Sequence, residues 1–202
     1  MALLDWISSD QGLVVEGQGV RLRPPRMGDF PAWSELRAKS AEFLRPWEPA
    51  WPEDDLTRPA FRRRLSVYAR DLELGHGFPF LVFREEDSRL VGGLTLSNIR
   101  RGIAQTATLG YWIGQPFARK GYTLAAVRAA CRFSFTRLGL HRVEAACLPS
   151  NEPSRALLLK AGFSLEGKAR AYLKINGAWR DHLLFGLVED EVDWDDEISS
   201  GG

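Results

Sequence analysis

A segment near the middle of the chain combines groups that could bind a phosphate-bearing ligand. Residues 111–123 read YWIGQPFARKGYT. The aromatic start predicts a strand, Gly114 and Pro116 end it, and an apolar period of three to four residues then predicts a helix. The first N–H groups of that helix are unpaired and lie at the positive end of its dipole. With Arg119, Lys120 and Gly121 they form a candidate anion site; the alternative is an ordinary turn with two solvated basic side chains.

The elements that must position this segment are predicted from turn residues and apolar periodicity. Short polar turns between residues 78 and 113 predict an antiparallel meander, and Asn176-Gly177 predicts a hairpin. The predicted strands cover residues 20–23, 78–84, 90–99, 106–113, 142–148, 163–175 and 179–188. The predicted helices cover about 30–41, 54–74, 124–138 and 153–161. This order predicts an α+β protein.

The composition is that of an ordinary globular protein. The 202 residues are 45% hydrophobic and 26% charged, and the formal net charge is +1. We expect one domain over residues 1–202, with a loose arm over 1–12, an ordered core over about 14–188 and an acidic, frayed tail over 189–202. The small net charge argues against direct nucleic acid binding. With no long apolar stretch and two cysteines expected to be buried free thiols, a cytoplasmic protein without membrane contact is predicted.

A segment rich in proline and tryptophan, residues 43–52, interrupts the helical pattern and cannot form a regular helix or a central strand. Trp47 and Trp51 are candidates for lining a substrate mouth, since loops on a rigid scaffold carry recognition. The alternative is that they pack as a satellite core. The three arginines at residues 62–64 are predicted to form a solvated helix face.

Two further constellations give weaker signals. His182 follows Asp181, but neighbours on a strand face opposite sides, so we expect a structural role for the pair. The three histidines at residues 76, 141 and 182 lack the spacing of metal ligands, and no metal is expected.

Several motifs, taken in order, resemble the GNAT N-acetyltransferases, and within them the RimJ/RimL type that acetylates the N-terminal alanine or serine of ribosomal proteins. The resemblance covers residues 14–188. The motifs are LRPWEP (44–49), SNIRRG (97–102), LGYWIG (109–114), NEPS (151–154), AGF (161–163) and NGAWRDH (176–182). A single motif would be weak evidence, but their order and spacing together are specific.

The resemblance implies a GNAT fold: a mixed, mostly antiparallel sheet with helices on both faces, splayed between its fourth and fifth strands, residues 106–113 and 142–148. Acetyl-CoA would enter this gap. Asn151 would hydrogen-bond the pantetheine arm, and Ser154 would lie near the thioester sulfur, where it could protonate the leaving thiolate. The pantetheine would follow the backbone of Tyr111, Trp112 and Ile113. The pyrophosphate would sit on the amides of Ala118, Arg119, Lys120, Gly121, Tyr122 and Thr123.

Four positions depart from the pattern of the family. Ala118 and Thr123 stand at the ends of the phosphate loop, where Gln or Arg and Gly or Ala are usual. Ala171 replaces an acidic residue often found immediately before Tyr172. Leu158 aligns with a tyrosine that many wider family members carry.

Acyl transfer needs a neutral amine, and the missing carboxylate bears on which amine is used. A terminal amine has a pKa of ~7.7–8.0 and lysine ~10.4, so freeing them at pH 7 costs roughly 1 and nearly 5 kcal/mol. The missing carboxylate therefore matters less for a terminal-amine substrate than for a lysine substrate, and this favours the terminal amine. Glu144 is the remaining candidate base; the alternative is a strand glutamate paired with Arg142 or Arg170. Tyr172 could orient the substrate or donate a proton, or simply pack in the hairpin.

The sequence therefore predicts direct acetyl transfer from acetyl-CoA to the N-terminal alanine or serine of a ribosomal or other protein, by a monomer or homodimer. One alternative is an enzyme of the same family that acetylates a small-molecule amine, such as an antibiotic or a polyamine. The other is an acetyl-CoA-binding protein without catalytic activity.

Overall fold

A computed structural model describes residues 12–192. One eight-stranded sheet runs through them in the order β1-β2-β3-β4-β5-β6-β8-β7. The strands are β1 (Val15–Gly17), β2 (Val20–Arg23), β3 (Phe78–Arg84), β4 (Leu90–Arg100), β5 (Thr106–Ile113), β6 (Arg142–Cys147), β7 (Ser164–Ile175) and β8 (Ala178–Val188). The helices are α1 (Phe30–Lys39), α2 (Ala41–Leu44), α3 (Arg58–Leu74), α4 (Tyr122–Thr136) and α5 (Glu152–Lys160).

The parallel pair β5–β6 opens the sheet. Its pairing runs from Thr106↔Arg142 to Leu109↔Ala145 and stops there, although β5 continues to Ile113 and β6 to Cys147. The other neighbouring strands pair antiparallel. Beyond the last pair, one edge of each strand has lost its ladder partner, and its N–H and C=O groups need other partners. The predicted mixed, splayed sheet is confirmed. Because β1 was not predicted, the parted strands are the fifth and sixth.

Helices cover both faces of the sheet, as predicted. On one face, α4 buries Ala126, Ala130 and Phe133 at the spacing of an amphipathic helix. The buried Leu158 of α5 joins the same core. On the other face, α1 and α3 form a second cluster around Trp33 and Phe61. We call these the α4/α5 face and the α1/α3 face.

The helix predicted over residues 54–74 is α3, and it starts later than predicted, at Arg58, because Thr57 caps it. The Thr57 hydroxyl accepts from the N–H of Ala60 at 3.4 Å. The prediction that residues 62–64 form a solvated face is wrong for Arg64. Its guanidinium donates to Asp55 at 2.6 Å and lies 4.9 Å from the centre of the Trp33 ring. A helix residue that bridges a loop carboxylate and a core ring is not simply solvated.

The prediction of a frayed tail from residue 189 onward is wrong for its first three residues. Glu189–Glu191 form a 3-10 turn. The rest of the predicted acidic tail and nearly all of the predicted loose arm lie outside the described residues. Both cysteines are free and buried, as predicted. None of the helices in residues 12–192 combines the length and apolar character that crossing a membrane requires.

Candidate active site

The entry to α4 has the geometry of an anion site. Gly121, the N-cap of α4, has φ 86° and supplies no side-chain acceptor, so the first N–H groups of the helix stay available. Arg119 is also left-handed, with φ 61°. Left-handed residues alternating with others turn successive N–H groups toward one point, which favours a bound anion. At one end of this turn Thr123 keeps its backbone N–H, but at the other the N–H of Ala118 donates to the Gln115 carbonyl at 3.2 Å, so the amide predicted for a pyrophosphate at Ala118 is already engaged.

A hydroxyl pair spans the gap between the parted strands. The hydroxyls of Tyr111 on β5 and Ser154 on α5 lie 2.7 Å apart. Asn151 caps α5 by accepting from the N–H of Ser154 at 3.1 Å, which fixes the first turn of the helix. The sequence placed Tyr111 and Ser154 in one site but missed the contact between their hydroxyls.

Burial keeps the groups around Ser154 protonated. It raises the pKa of the Tyr111 phenol and of the Cys147 thiol above their ordinary values. At neutral pH, Tyr111 therefore keeps its proton and can donate it to the Ser154 oxygen. The proton of Ser154 itself is then available to a third group placed in the gap.

On the α1/α3 face, a buried ion pair fixes the tryptophan-rich loop. Arg37 is 6% exposed, and its two terminal nitrogens donate to the two oxygens of Glu48, each at 2.7 Å. Trp51 donates its indole N–H to Glu48 at 2.7 Å. The Arg37 guanidinium lies 4.1 Å from the Trp51 ring and 4.9 Å from the Trp112 ring of β5. Sequence reasoning singled out the tryptophans but not Arg37 and Glu48, which hold one of them in place.

Replacing Glu48 by glutamine is expected to lower the free energy of unfolding by about 2 kcal/mol, because an amide accepts through one oxygen and turns its NH₂ toward Arg37. Urea denaturation measures this change. The matched control is Glu35→Gln, whose carboxylate pairs with Lys39 on an exposed helix face and should leave stability unchanged. Equal losses in the two variants would contradict the role assigned to the buried pair.

The end of the β7–β8 hairpin contacts the same loop: the N–H of Asn176 donates to the carbonyl of Glu48 at 3.1 Å. A cavity of about 190 Å³ lies on this face. Its lining includes Trp33, Arg37, Glu48, Tyr68, Thr95 and Trp112. Trp47 and Trp51 are half-buried. Neither tryptophan lines this cavity and nor does the hairpin; Trp51 and Asn176 contact its lining residue Glu48.

A bulge in β7 positions Tyr172. Ala171 has φ 45° and donates its N–H to the Asp181 carboxylate at 3.0 Å. Tyr172 is partly exposed, and its ring centre lies 5.8 Å from that of His182. Asp181 pairs with Lys168, whereas His182 is buried, so the two neighbours diverge as expected and form no dyad.

Glu144 lies on β6 with both carboxylate oxygens engaged. Arg100 donates to one at 3.2 Å and Arg142 to the other at 3.1 Å. The sequence left open whether this residue is a base or an arginine-paired strand glutamate. These two contacts favour the paired glutamate.

Comparisons with known proteins agree with this geometry. The sequence model of the family described as "Acetyltransferase (GNAT) domain" matches residues 20–164. The chain is 35% identical over 168 residues to the [Ribosomal protein uS5]-alanine N-acetyltransferase of Escherichia coli (strain K12), covering 82% of this chain and 86% of that protein. It is 34% identical over 175 residues to the probable N-acetyltransferase YjcK of Bacillus subtilis (strain 168), covering 87% and 97%.

Solved structures give the same result. Mycobacterium smegmatis RimJ in complex with CoA-disulfide superposes with a TM-score of 0.83 at 34% identity, covering 89% of this chain and 88% of that chain. The ribosomal-protein-S5-alanine acetyltransferase of Vibrio fischeri gives 0.81 at 28% identity, covering 90% and 100%. The chain belongs to the GNAT family of acetyltransferases.

Proposed function

We propose that the protein transfers the acetyl group of acetyl-CoA to the α-amino group of a protein that begins with alanine or serine, with a ribosomal protein as acceptor. The observation that carries the proposal is the Tyr111–Ser154 hydroxyl pair, which lies where β5 and β6 part. The acceptor class rests on the relatives from Escherichia coli and Vibrio fischeri, whose names describe acetylation of a ribosomal protein at alanine.

The residues of the gap fit acetyl-CoA as the acetyl donor. The amide-bearing pantetheine arm matches the free edge of β5 at Tyr111, Trp112 and Ile113, which supplies backbone donors and acceptors. The pyrophosphate matches the N–H groups of residues 119–123 and the positive end of α4. Because these contacts use the backbone, the unusual side chain at Thr123 does not remove them, whereas the N–H of Ala118 is already bonded to Gln115.

The surroundings of Ser154 support direct transfer without a covalent enzyme intermediate. A serine nucleophile needs a neighbouring base. In the described structure, the side chain that hydrogen-bonds its hydroxyl is Tyr111, which burial keeps protonated and which therefore cannot act as that base. Ser154 is therefore suited to giving a proton to the departing thiolate. The C–N bond to the acceptor then forms as the C–S bond breaks.

We assign the acceptor to the surface formed by the loop at residues 45–51, with Trp47 and Trp51, and the β7–β8 hairpin, with Tyr172, and call it the acceptor wall. Loop and hairpin meet there through the contact between Asn176 and Glu48, beside Trp112 of β5. The proposal treats residues 14–188 as one catalytic domain, because a single sheet runs from β1 to β8. It further takes the enzyme to be a cytoplasmic monomer or homodimer that contacts neither nucleic acid nor membrane.

The test is free-thiol release from acetyl-CoA in the presence of a peptide that begins with alanine. The matched control is the same peptide with its α-amine already acetylated and an internal lysine left free. We expect release with the first peptide only. Thiol release only with the free lysine, or only with a panel of small amines, would contradict the proposed acceptor. Acetyl-CoA binding without any thiol release would contradict the proposed catalysis and indicate a binding protein.

A further inference from the structure

The proposed reaction removes a proton from the acceptor ammonium, yet the carboxylates near the acceptor wall are already engaged. The strands β6, β7 and β8 and the loop at residues 45–51 carry four of them. The partners are Arg37 and Trp51 for Glu48, Arg100 and Arg142 for Glu144, Arg142 for Glu166, and Lys168 with the N–H of Ala171 for Asp181. None of these four is free to take the proton without losing a partner.

His182 offers the proton acceptor that these carboxylates do not. It is 3% exposed, and its Nδ1 lies 3.0 Å from the carbonyl oxygen of Arg180. A carbonyl oxygen can only accept, so the neutral ring carries its proton on Nδ1. The lone pair is then on Nε2, the nitrogen that does not contact the Arg180 carbonyl. The strand backbone itself thus selects the tautomer that a base requires.

The position of His182 in the sheet is suited to this role. The next residues, Leu183 and Phe185, pack toward the α4/α5 core, so alternation places His182 on the α1/α3 face. The β6–β8 pairing ends at Cys147↔Leu183, so His182 stands one residue beyond it, at the open end of β6. The bulge at Ala171 brings Tyr172 against its ring.

We propose that His182 is the general base of the reaction. Its Nε2 takes one proton from the acceptor ammonium and passes it to solvent, which leaves a neutral amine. As the C–N bond forms and the C–S bond breaks, Ser154 gives its proton to the thiolate, and the second proton of the amine replaces the one that Ser154 has lost. The ammonium thus loses two protons, of which the sulfur gains one and the solvent the other. This inference rests on the proposed function. It assigns the task to a residue beside position 171, where the expected carboxylate is missing.

The charged and titratable groups around His182 come from three strands. Tyr172 contacts it from β7, which also carries the exposed Lys168 and Arg170. On β6, Glu144 shares its face but lies opposite Gly186, four residues from His182, or about 13 Å along the strand. On β8 itself, alternation turns Asp181 to the other face, where it pairs with Lys168, and leaves the exposed Arg180 on the face of His182.

The test compares His182→Asn with the wild type. Asparagine keeps an N–H donor near the Arg180 carbonyl but has no basic nitrogen. At pH 7, kcat with the alanine peptide is expected to fall about 10²-fold, with KM for acetyl-CoA unchanged. The deficit should shrink as pH rises past ~8, because the α-amine then arrives unprotonated. Adding Ala171→Glu to His182→Asn is expected to restore part of the rate. The control is His76→Gln, at an exposed histidine that precedes β3.

Two results would overturn the assignment: unchanged kcat in His182→Asn, or a loss that is the same at every pH and accompanied by weaker acetyl-CoA binding. The second result is that of a structural histidine. The comparison is run with whichever amine of the panel supports wild-type turnover. If the acceptor class is wrong, the wild type does not turn over the alanine peptide. If the base is wrong, the wild type turns over its amine and the error shows only in the comparison with His182→Asn.

Discussion

Replacing Ser154 with alanine is expected to lower kcat for acetyl transfer by roughly 10²- to 10³-fold, the range of a lost general acid, while KM for acetyl-CoA stays within about two-fold. In the proposed mechanism the Ser154 hydroxyl protonates the leaving sulfur, and its own acceptor position is filled by Tyr111 at 2.7 Å. Without it, the thiolate must leave unprotonated or take its proton from water. Steady-state kinetics by thiol release measures both constants.

The Ser154→Ala variant should fold normally, because Asn151 caps α5 through the backbone N–H of residue 154. Ser66→Ala is the matched control, since Ser66 is an exposed helix serine whose hydroxyl bonds the Arg62 carbonyl. Tyr111→Phe should give an intermediate loss of about ten-fold, as it leaves the Ser154 hydroxyl without its donor. A Ser154→Ala enzyme with wild-type kcat would remove Ser154 from the mechanism.

Replacing Gly121 with aspartate is expected to weaken CoA binding by about 10²-fold. The new carboxylate would occupy the N-cap of α4, where the pyrophosphate is assigned. Two charges ~5 Å apart repel by about 3 kcal/mol at an effective dielectric constant of about 20, which corresponds to roughly 10²-fold in Kd. Isothermal titration with CoA at two salt concentrations measures the effect, and added salt should reduce it.

The isosteric, uncharged variant Gly121→Asn separates charge from backbone strain. A Cβ at this position meets no protein atom within 4 Å, so the remaining cost is the left-handed φ of 86°. That cost is about 1–2 kcal/mol for most residues and lower for Asn and Asp. We expect Gly121→Asn to lose far less affinity than Gly121→Asp, at similar thermal stability. Equal losses would show that no anion binds at this helix end.

Features determined by residues adjacent in the chain could be predicted from the sequence. The turn at Asn176-Gly177, the end of α3 at Gly75 and the caps of α4 and α5 depend on backbone preferences a few residues long. The candidate anion site belongs to this class, because its glycine and unpaired amides lie within residues 119–123, at the start of α4. The three-residue β1 was missed, since so short a strand around Gly17 leaves little alternation to detect.

Contacts between distant residues were decided by the tertiary structure alone. Tyr111 and Ser154 are far apart in the chain and meet only because β5 and β6 part where α5 begins. Arg37 and Glu48 pair only once α1 packs on the sheet. On β7, the bulge at Ala171 decides the face of Tyr172, since shifting a strand by one residue moves side chains to the other face. The sequence thus determined most of the elements, the family resemblance and the candidate anion site. Strand register and packing decided which side chains meet, because those contacts depend on spatial neighbours rather than on neighbours in the chain.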